Sequence, residues 1–151
     1  MSEPEIIVFP ALTLYVRTRL NSTGLHYAPA PVLEALRNTD CTIDLQILDL
    51  AHDKDPMPLS YELTYIRFVA RRNKYPVDSD DIFVDLSTED AIGISITDPD
   101  LSKITITIAG EHLNVAPSQY WYDLQIWTSG IPENLEDFNV RQPLQKFIVL
   151  P

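Results

Sequence analysis

The chain has 151 residues, of which 45% are hydrophobic, and a formal net charge of −11 from 11 basic and 22 acidic residues. This length suits one domain, in which folding buries roughly 68–70% of the surface of the unfolded chain. The negative charge repels phosphate backbones, which argues against a nucleic-acid partner. The single cysteine, Cys41, excludes an internal disulfide, so the fold does not depend on an oxidising compartment.

The first ten residues, MSEPEIIVFP, are acidic and lack the basic and apolar regions of a signal peptide. No apolar run approaches the roughly 20 residues that a membrane span needs. We therefore expect a protein that is made in a cytoplasm and has no membrane partner.

Apolar and polar residues alternate with a period of two along much of the chain, which predicts β-strands. In chain order, short strands are predicted at 5–9, 12–18, 42–50, 82–86, 120–128 and 146–150. A longer strand is predicted at 61–71, where the apolar side changes face partway, as is typical of a bulged strand. The best-defined pair is an isoleucine hairpin, with strands at 92–97 and 103–108 joined by turn-forming residues around Pro99.

Helical spacing occurs only at residues 31–38, where Pro31 suits a first helical turn. Many short strands separated by Pro, Asp and Ser turns, with at most one short helix, predict an antiparallel β-sandwich of about seven to nine strands. Residues 42–151 are expected to form this sandwich. Residues 1–41 are an N-terminal segment that either joins the sandwich or lies as an arm on a neighbouring molecule.

Local motifs for catalysis are missing from the sequence. There is no Gly-x-Ser-x-Gly motif and, with four glycines in all, no glycine-rich phosphate loop. Cys41 lies beside an alternating strand and is expected to be a small core residue rather than a nucleophile. A carboxylate pair assembled from distant residues stays open, because its spacing is set only in three dimensions. We expect a protein that is not an enzyme.

Metal-binding patterns are also missing. His26, His52 and His112 are far apart, and Cys41 has no Cys or His at zinc spacing. The acidic stretches at 53–55 and 78–81 lack the central Gly and closing Glu of an EF-hand, so they are interpreted as solvated turns, with calcium left open. We predict no metal and no cofactor.

Basic residues cluster at Arg67, Arg71, Arg72 and Lys74. In an extended segment, Arg67 and Arg71 share a face while Arg72 points the other way, which is typical of a strand end that meets solvent. This pattern does not form a basic groove, and we predict no nucleic-acid binding.

The segment YWYDLQIW at 120–127 is the densest aromatic stretch. One face of the strand carries Tyr120, Tyr122, Leu124 and Ile126, and this apolar set is expected to fill the core. The other face carries Trp121, Asp123, Gln125 and Trp127, with the two indoles roughly 20 Å apart, too far to clamp one sugar or base. Trp121 and Trp127 either cover a sheet edge or pack under loops, or they form a protein-docking face. The docking alternative is considered because Trp and Tyr are enriched in interface cores.

Several short motifs follow one another in order: an Asp/Pro-Leu turn at 53–59, YIRFVAR at 65–71, VDLST at 84–88, the isoleucine hairpin at 93–108, YWYDLQ at 120–125 and FIVL at 147–150. This ordered set resembles the small Ig-like β-sandwich modules of tailed-phage virion proteins, including the N-terminal module of siphophage baseplate upper proteins. The chain departs from that pattern in having Pro-Ser-Gln at 117–119 in place of Pro-Gly, and a long acidic segment at 129–145 in place of a short turn.

The resemblance implies a non-enzymatic structural protein of a phage virion, a multi-copy or homo-oligomeric β-sandwich that connects components of the tail or baseplate. Its partners would be other virion proteins, and it would be synthesised in the cytoplasm of the bacterial host. Two alternatives stay open. One is a capsid decoration or cement protein on the phage head, and the other is a carbohydrate-binding module, for which the Trp121/Trp127 face is the only support.

Overall fold

The chain folds into two β-sheets that pack face to face. The computed structural model describes residues 7–8, 12–19, 22–27, 31–49, 55–56, 59–74, 81–89, 93–127 and 145–151. Its strands are β1 (Ile7–Val8), β2 (Leu12–Arg19), β3 (Ser22–Tyr27), β4 (Leu33–Leu36), β5 (Cys41–Asp49), β6 (Asp55–Pro56), β7 (Tyr65–Arg71), β8 (Ile82–Ser87), β9 (Ile94–Asp98), β10 (Lys103–Ile108), β11 (Ser118–Trp127) and β12 (Gln145–Leu150). A short 3-10 helix at Gly110–Leu113 precedes β11, and the described ranges contain no α-helix.

The strand order is β3-β2-β5-β10-β9 in sheet A, with β1 and β6 also paired to β5, and β4-β12-β11-β7-β8 in sheet B. The predicted β-sandwich is confirmed. Both sheets are mixed rather than wholly antiparallel, because β1 and β2 run parallel to β5 and β4 runs parallel to β12. The described residues also form more strand segments than predicted, since β3, β4 and β6 lie where no strand was expected.

The core lies between the two sheets and follows the predicted alternation. In β5, Cys41, Ile43, Leu45 and Ile47 are buried while the residues between them are half-buried. The isoleucine hairpin is confirmed as β9 and β10, which pair antiparallel, and β10 pairs antiparallel with β5 on its other side. Branched side chains suit such half-buried strands, because they pack well against neighbours on a pleated surface.

The strand predicted at 61–71 begins later, at Tyr65, because residues 60–64 form a turn. Within that turn the Thr64 N–H donates to the Ser60 carbonyl oxygen at 3.0 Å, and the Ser60 N–H donates to the Thr64 hydroxyl at 2.8 Å. The turn therefore accounts for most of the change of apolar face that suggested a bulge. A register irregularity does occur in the pairing of β7 with β8, between Ala70 and Arg71.

The helix expected at 31–38 is wrong, because this segment contains β4 instead. Leu33 and Ala35 are buried while Glu34 between them is exposed, which is the period of a strand. An apolar run this short fits a helix or a strand equally well. Parallel pairing with β12, from Leu33 opposite Phe147 to Leu36 opposite Leu150, decides between them.

Strand connectivity follows a known pattern. The order β5-β10-β9 in sheet A and β12-β11-β7-β8 in sheet B is the order of strands B-E-D and G-F-C-C′ in immunoglobulin sandwiches. Near the start of β11, the Tyr120 hydroxyl donates to the Ala116 carbonyl oxygen at 2.5 Å, four residues upstream. This is the geometry of a tyrosine corner, which those sandwiches use where the chain crosses between sheets.

The strands before residue 41 belong to the sheets. Two of them, β1 and β2, pair in succession with β5, with Ile7 opposite Cys41 and Leu12 opposite Leu45. Pro10, which has no N–H to donate to a ladder, lies between them in sequence. The domain boundary at residue 41 and an arm laid on a neighbouring molecule both stay predictions.

Candidate docking face

The core face of β11 is as the sequence predicted. Tyr120, Tyr122, Leu124 and Ile126 are all buried members of the core. Tyr122 stacks on Phe68 of β7 with ring centroids 5.6 Å apart, and its hydroxyl donates to the Pro31 carbonyl oxygen at 2.5 Å. Each tyrosine therefore combines an apolar ring in the core with a satisfied hydroxyl at its edge.

The outer face of β11 holds the two candidate docking residues, Trp121 and Trp127, and both are half-buried. Trp127 packs on Tyr65, the residue opposite it on β7, with ring centroids 5.3 Å apart. Trp121 lies beneath Lys74, whose Nζ is 5.3 Å from the ring centroid, a cation–π distance. The two indoles are therefore anchored at opposite ends of one strand face.

Between the two indoles the outer face is buried and charged. Asp123 is 3% exposed, Gln125 is 6% exposed, and Arg71 on the neighbouring strand is fully buried. Burial lowers the pKa of the Arg71 guanidinium from its ordinary value, and the nearby Asp123 carboxylate acts in the opposite direction. Sequence reasoning missed this buried pair, because charged residues in an alternating strand normally indicate solvent.

The basic cluster is divided by the fold. Arg67 forms two hydrogen bonds to the Asp85 carboxylate, at 2.9 and 2.7 Å, and this pairing raises the pKa of the Arg67 guanidinium. Arg71 is buried, whereas Arg72 and Lys74 are exposed just beyond the end of β7. Arg72 lies over the ring of Phe83 at 5.6 Å. The four cations therefore do not form one continuous patch.

The outer face of sheet A is polar. A hollow of about 420 Å³ lies over β5, β9 and β10, lined by Asp44, Leu45, Gln46, Thr97, Lys103, Ile104 and Thr105. Its polar side chains bond within the sheet, since Thr105 donates to Asp44 at 2.7 Å and Thr97 donates to the Lys103 carbonyl oxygen at 3.1 Å. None of the residues that line this hollow has an aromatic ring on which a sugar could stack.

Groups that could bind a metal are not assembled in the part of the chain that the structure describes: no three His, Cys, Asp or Glu side chains lie together there. His112 is exposed, 3.8 Å from Glu111. His52 and most residues of the two acidic stretches lie outside the described residues, as does the side chain of His26. Across the same described ranges, no helix is long and apolar enough to cross a membrane.

The sequence did not predict one cluster of exposed apolar side chains. Tyr61 and Leu63, in the turn before β7, are 67% and 58% exposed, and Leu101 in the β9–β10 turn is 44% exposed. The Leu59 N–H donates to the Pro99 carbonyl oxygen at 3.1 Å, which places these two turns side by side. In the sequence, Ser60 and Thr64 could have indicated the turn before β7. Hydroxyl side chains that bond to nearby backbone groups favour turns over strands.

Neither a family model nor a curated protein matches the sequence. Among solved structures, the chain is similar to the N-terminal domain of phage TP901-1 ORF48, with 8% sequence identity, coverage of 96% of this chain and 100% of that domain, and a TM-score of 0.45. We assign the β-sandwich from the strand pairings within this chain.

Proposed function

We propose that this chain is a non-enzymatic structural protein of a tailed-phage virion, a multi-copy β-sandwich that connects components of the tail or baseplate through contacts with other virion proteins. The observation that carries the proposal is the order of the short motifs that resemble phage sandwich modules. Five of them coincide with successive elements of the fold: β7, β8, the β9–β10 hairpin, β11 and β12.

The motif YWYDLQ supports the proposal most directly, because its side chains perform structural tasks. Tyr120 makes the corner bond to Ala116, and Tyr122 packs on Phe68 and bonds to Pro31. Leu124 is a core residue. Such a motif marks a fold module rather than a reacting site, which agrees with a role in assembly.

Trp121 and Trp127 are the docking residues that we propose for contacts with other virion proteins. Both rings are half-buried and held against Lys74 and Tyr65 respectively, so little side-chain entropy remains to be lost on docking. Large, preordered aromatic rings are typical of interface hot spots.

Mass spectrometry of purified phage particles tests the proposed function. We expect the chain in mature virions at more than one copy per particle, and its absence from them would overturn the proposal. Cryo-microscopy of particles carrying a labelled chain then gives its position, which we expect at the tail. A position on the head would instead assign it as a decoration protein.

The docking residues are tested in the same particles. Trp121→Ala and Trp127→Ala are expected to lower incorporation of the chain, because they remove anchors from the outer face of β11. Ser95→Ala is the control, since Ser95 is exposed on β9 in the other sheet. Wild-type incorporation of both Trp variants would show that another surface makes the contacts.

A further inference from the structure

Two adjacent turns at one end of the sandwich display apolar side chains to solvent. We define the loop end as Tyr61, Glu62, Leu63, Asp100 and Leu101, which come from the turn before β7 and from the β9–β10 turn. All five side chains are exposed. Scattered surface leucines need no explanation, but three large apolar side chains on two adjacent turns indicate an interaction surface.

Hydrogen bonds hold both turns of the loop end in place. The Ser60 hydroxyl accepts from the N–H groups of Glu62 at 3.3 Å and Leu63 at 3.2 Å. In the other turn, the Leu101 N–H donates to the Asp98 carboxylate at 3.1 Å. A surface that is already ordered loses little conformational entropy when a partner binds.

The loop end lies beside one of the proposed docking residues. Tyr65 opens β7 directly after the turn that carries Tyr61 and Leu63, and Trp127 packs on Tyr65 with ring centroids 5.3 Å apart. A partner that docks through Trp127 therefore meets the loop end next to it.

Carboxylates accompany the apolar side chains of the loop end. Glu62 and Asp100 are exposed in the two turns themselves. Glu89 is exposed just beyond β8, where the N–H of the preceding Thr88 donates to the Ile66 carbonyl oxygen at 3.0 Å and so places this residue near the start of β7. The exposed charges of these residues are all negative.

Few cations offset these carboxylates. Neither residues 60–64 nor residues 99–102 include a Lys or an Arg. Lys103 is exposed at the start of β10, whereas Arg67 on β7 is already bound to the Asp85 carboxylate at 2.9 and 2.7 Å. The loop end is therefore an apolar surface with negative charge.

This combination excludes several kinds of occupant. Nucleic acid and anionic lipid carry phosphates, which the carboxylates repel. A second copy of the chain would bring a net charge of −11 and the same acidic turns, and like charges that face each other weaken a contact. A metal ion or a small cation would leave the three apolar side chains in water.

We propose that the loop end docks a basic and apolar segment of another virion protein, in which Lys or Arg side chains flank aliphatic or aromatic ones. The apolar residues of that segment cover Tyr61, Leu63 and Leu101, while its cations face Glu62 and Asp100 and set the orientation. This inference rests on the proposed function and names the chemistry of the partner at this end.

Photocrosslinking in assembled particles tests the chemistry of the partner. Leu63→p-benzoylphenylalanine places a photoreactive ring at a side chain that is 58% exposed in the loop end. His112→p-benzoylphenylalanine is the control, because His112 is exposed on the 3-10 helix that follows the opposite end of β10. We expect the first variant to capture a segment of another virion protein that has more Lys and Arg than Asp and Glu.

Several results of this experiment would overturn the inference. They are a crosslink from position 63 to a second copy of this chain, a crosslink to a segment without an excess of Lys and Arg, and no crosslink in particles that contain the chain. Capture of the same segment from position 112 would also overturn it, because the contact would then not be specific to the loop end.

Competition between chains measures what each part of the loop end contributes. In particles assembled with equal amounts of wild-type and tagged variant chain, Tyr61→Ser/Leu63→Ser should be incorporated about tenfold less, because it removes the apolar contacts. Glu62→Lys/Asp100→Lys should be incorporated about threefold less, on the scale of exposed charges that lose their partners. Circular dichroism establishes that each variant is folded before it is compared.

Glu34→Lys/Glu111→Lys is the control for the charge variant. Both residues are exposed toward the opposite end of the sandwich, and the two double variants change the net charge equally. The control should be incorporated like the wild type. Equal losses in the two charge variants would show a general effect of charge, and full incorporation of the serine variant would show that the loop end makes no contact. Either result overturns the inference.

Failure of this contact can be distinguished from failure of the proposed function. Particles that contain the chain but give none of the expected crosslinks leave the proposed function standing and remove the basic partner at the loop end. Absence of the chain from particles removes both.

Discussion

Cys41 opens β5 and is fully buried in the core. Burial raises the pKa of its thiol from 9.0 to about 12, because the thiolate loses its hydration in an apolar site. At neutral pH the thiol is therefore protonated as well as inaccessible, which agrees with the core role expected from the sequence. The nucleophilic form is the thiolate, so we expect an inert residue.

Thiol labelling checks this expectation. With an aromatic disulfide reagent at mildly alkaline pH, Cys41 should react many times more slowly in the native chain than in denaturant. The sign of the pH effect follows from the raised pKa: above pH 9.0 the unfolded thiol loses its proton while the folded one keeps it, so this residue makes the fold less stable as pH rises toward about 12. Rapid labelling of the native chain would contradict this account.

Gly110 lies where two backbones approach closely. A Cβ at this position would be 2.7 Å from the Asn38 carbonyl oxygen and 2.9 Å from its carbon, and the Gly110 N–H donates to the Asp40 carboxylate at 2.7 Å. Gly110→Ala should therefore lower the free energy of unfolding by about 1–3 kcal/mol, the scale of overpacking, as measured by urea titration. Asp40→Asn keeps an acceptor oxygen and should cost less. Equal stability of the alanine variant and the wild type would show that the turn yields easily.

At the scale of the element, β11 is organised by its tyrosine corner. Tyr120→Phe removes the hydroxyl that bonds to the Ala116 carbonyl oxygen but retains the ring against Phe83, 5.0 Å away. We expect a loss of about 0.5–1.5 kcal/mol in the free energy of unfolding, the net value of one hydrogen bond. Tyr61→Phe is the matched control, because Tyr61 is 67% exposed and should change nothing. A neutral Tyr120→Phe would show that the corner bond is dispensable.

The outer face of sheet B depends on the buried pair of β7 and β11. Asp123→Leu leaves the buried Arg71 cation without the Asp123 carboxylate and should cost about 3–5 kcal/mol. Arg71→Met combined with Asp123→Leu removes both charges, and this double variant should be more stable than the single one in chemical denaturation. A double variant that loses the sum of the two single effects would indicate that the charges act independently.

At the scale of the whole molecule, β1 and β2 tie the N-terminal segment to the sandwich through β5. Removal of residues 1–30 would leave β5 as a sheet edge and remove Leu12, which packs against the core. The shortened chain should lose more than about 2 kcal/mol, the scale of one buried leucine, and should aggregate more readily through the exposed edge. Thermal unfolding measures the first effect and light scattering the second. An unchanged melting temperature would instead support a separate arm.

The local alternation of apolar and polar residues was sufficient to predict much of this architecture. The isoleucine hairpin, the alternation of β5 and the two faces of β11 were all predictable, because the side-chain period of two assigns each residue to a face wherever one face is buried. The same reasoning placed Trp121 and Trp127 on the outer face. The exposed turn with Tyr61 and Leu63 was not predicted, because apolar residues near a strand satisfy the strand pattern equally well.

The sequence by itself determined the class of fold, the core face of each regular strand and the ordered motifs that resemble phage modules. Only the tertiary structure decided that β4 is a strand beside β12, that Arg71 is buried near Asp123, and that β2 runs parallel to β5. The physical reason is the separation along the chain of the residues that interact. A face is set by the alternation of neighbouring residues, whereas pairing partners and the burial of a charge are set by groups far away in the chain.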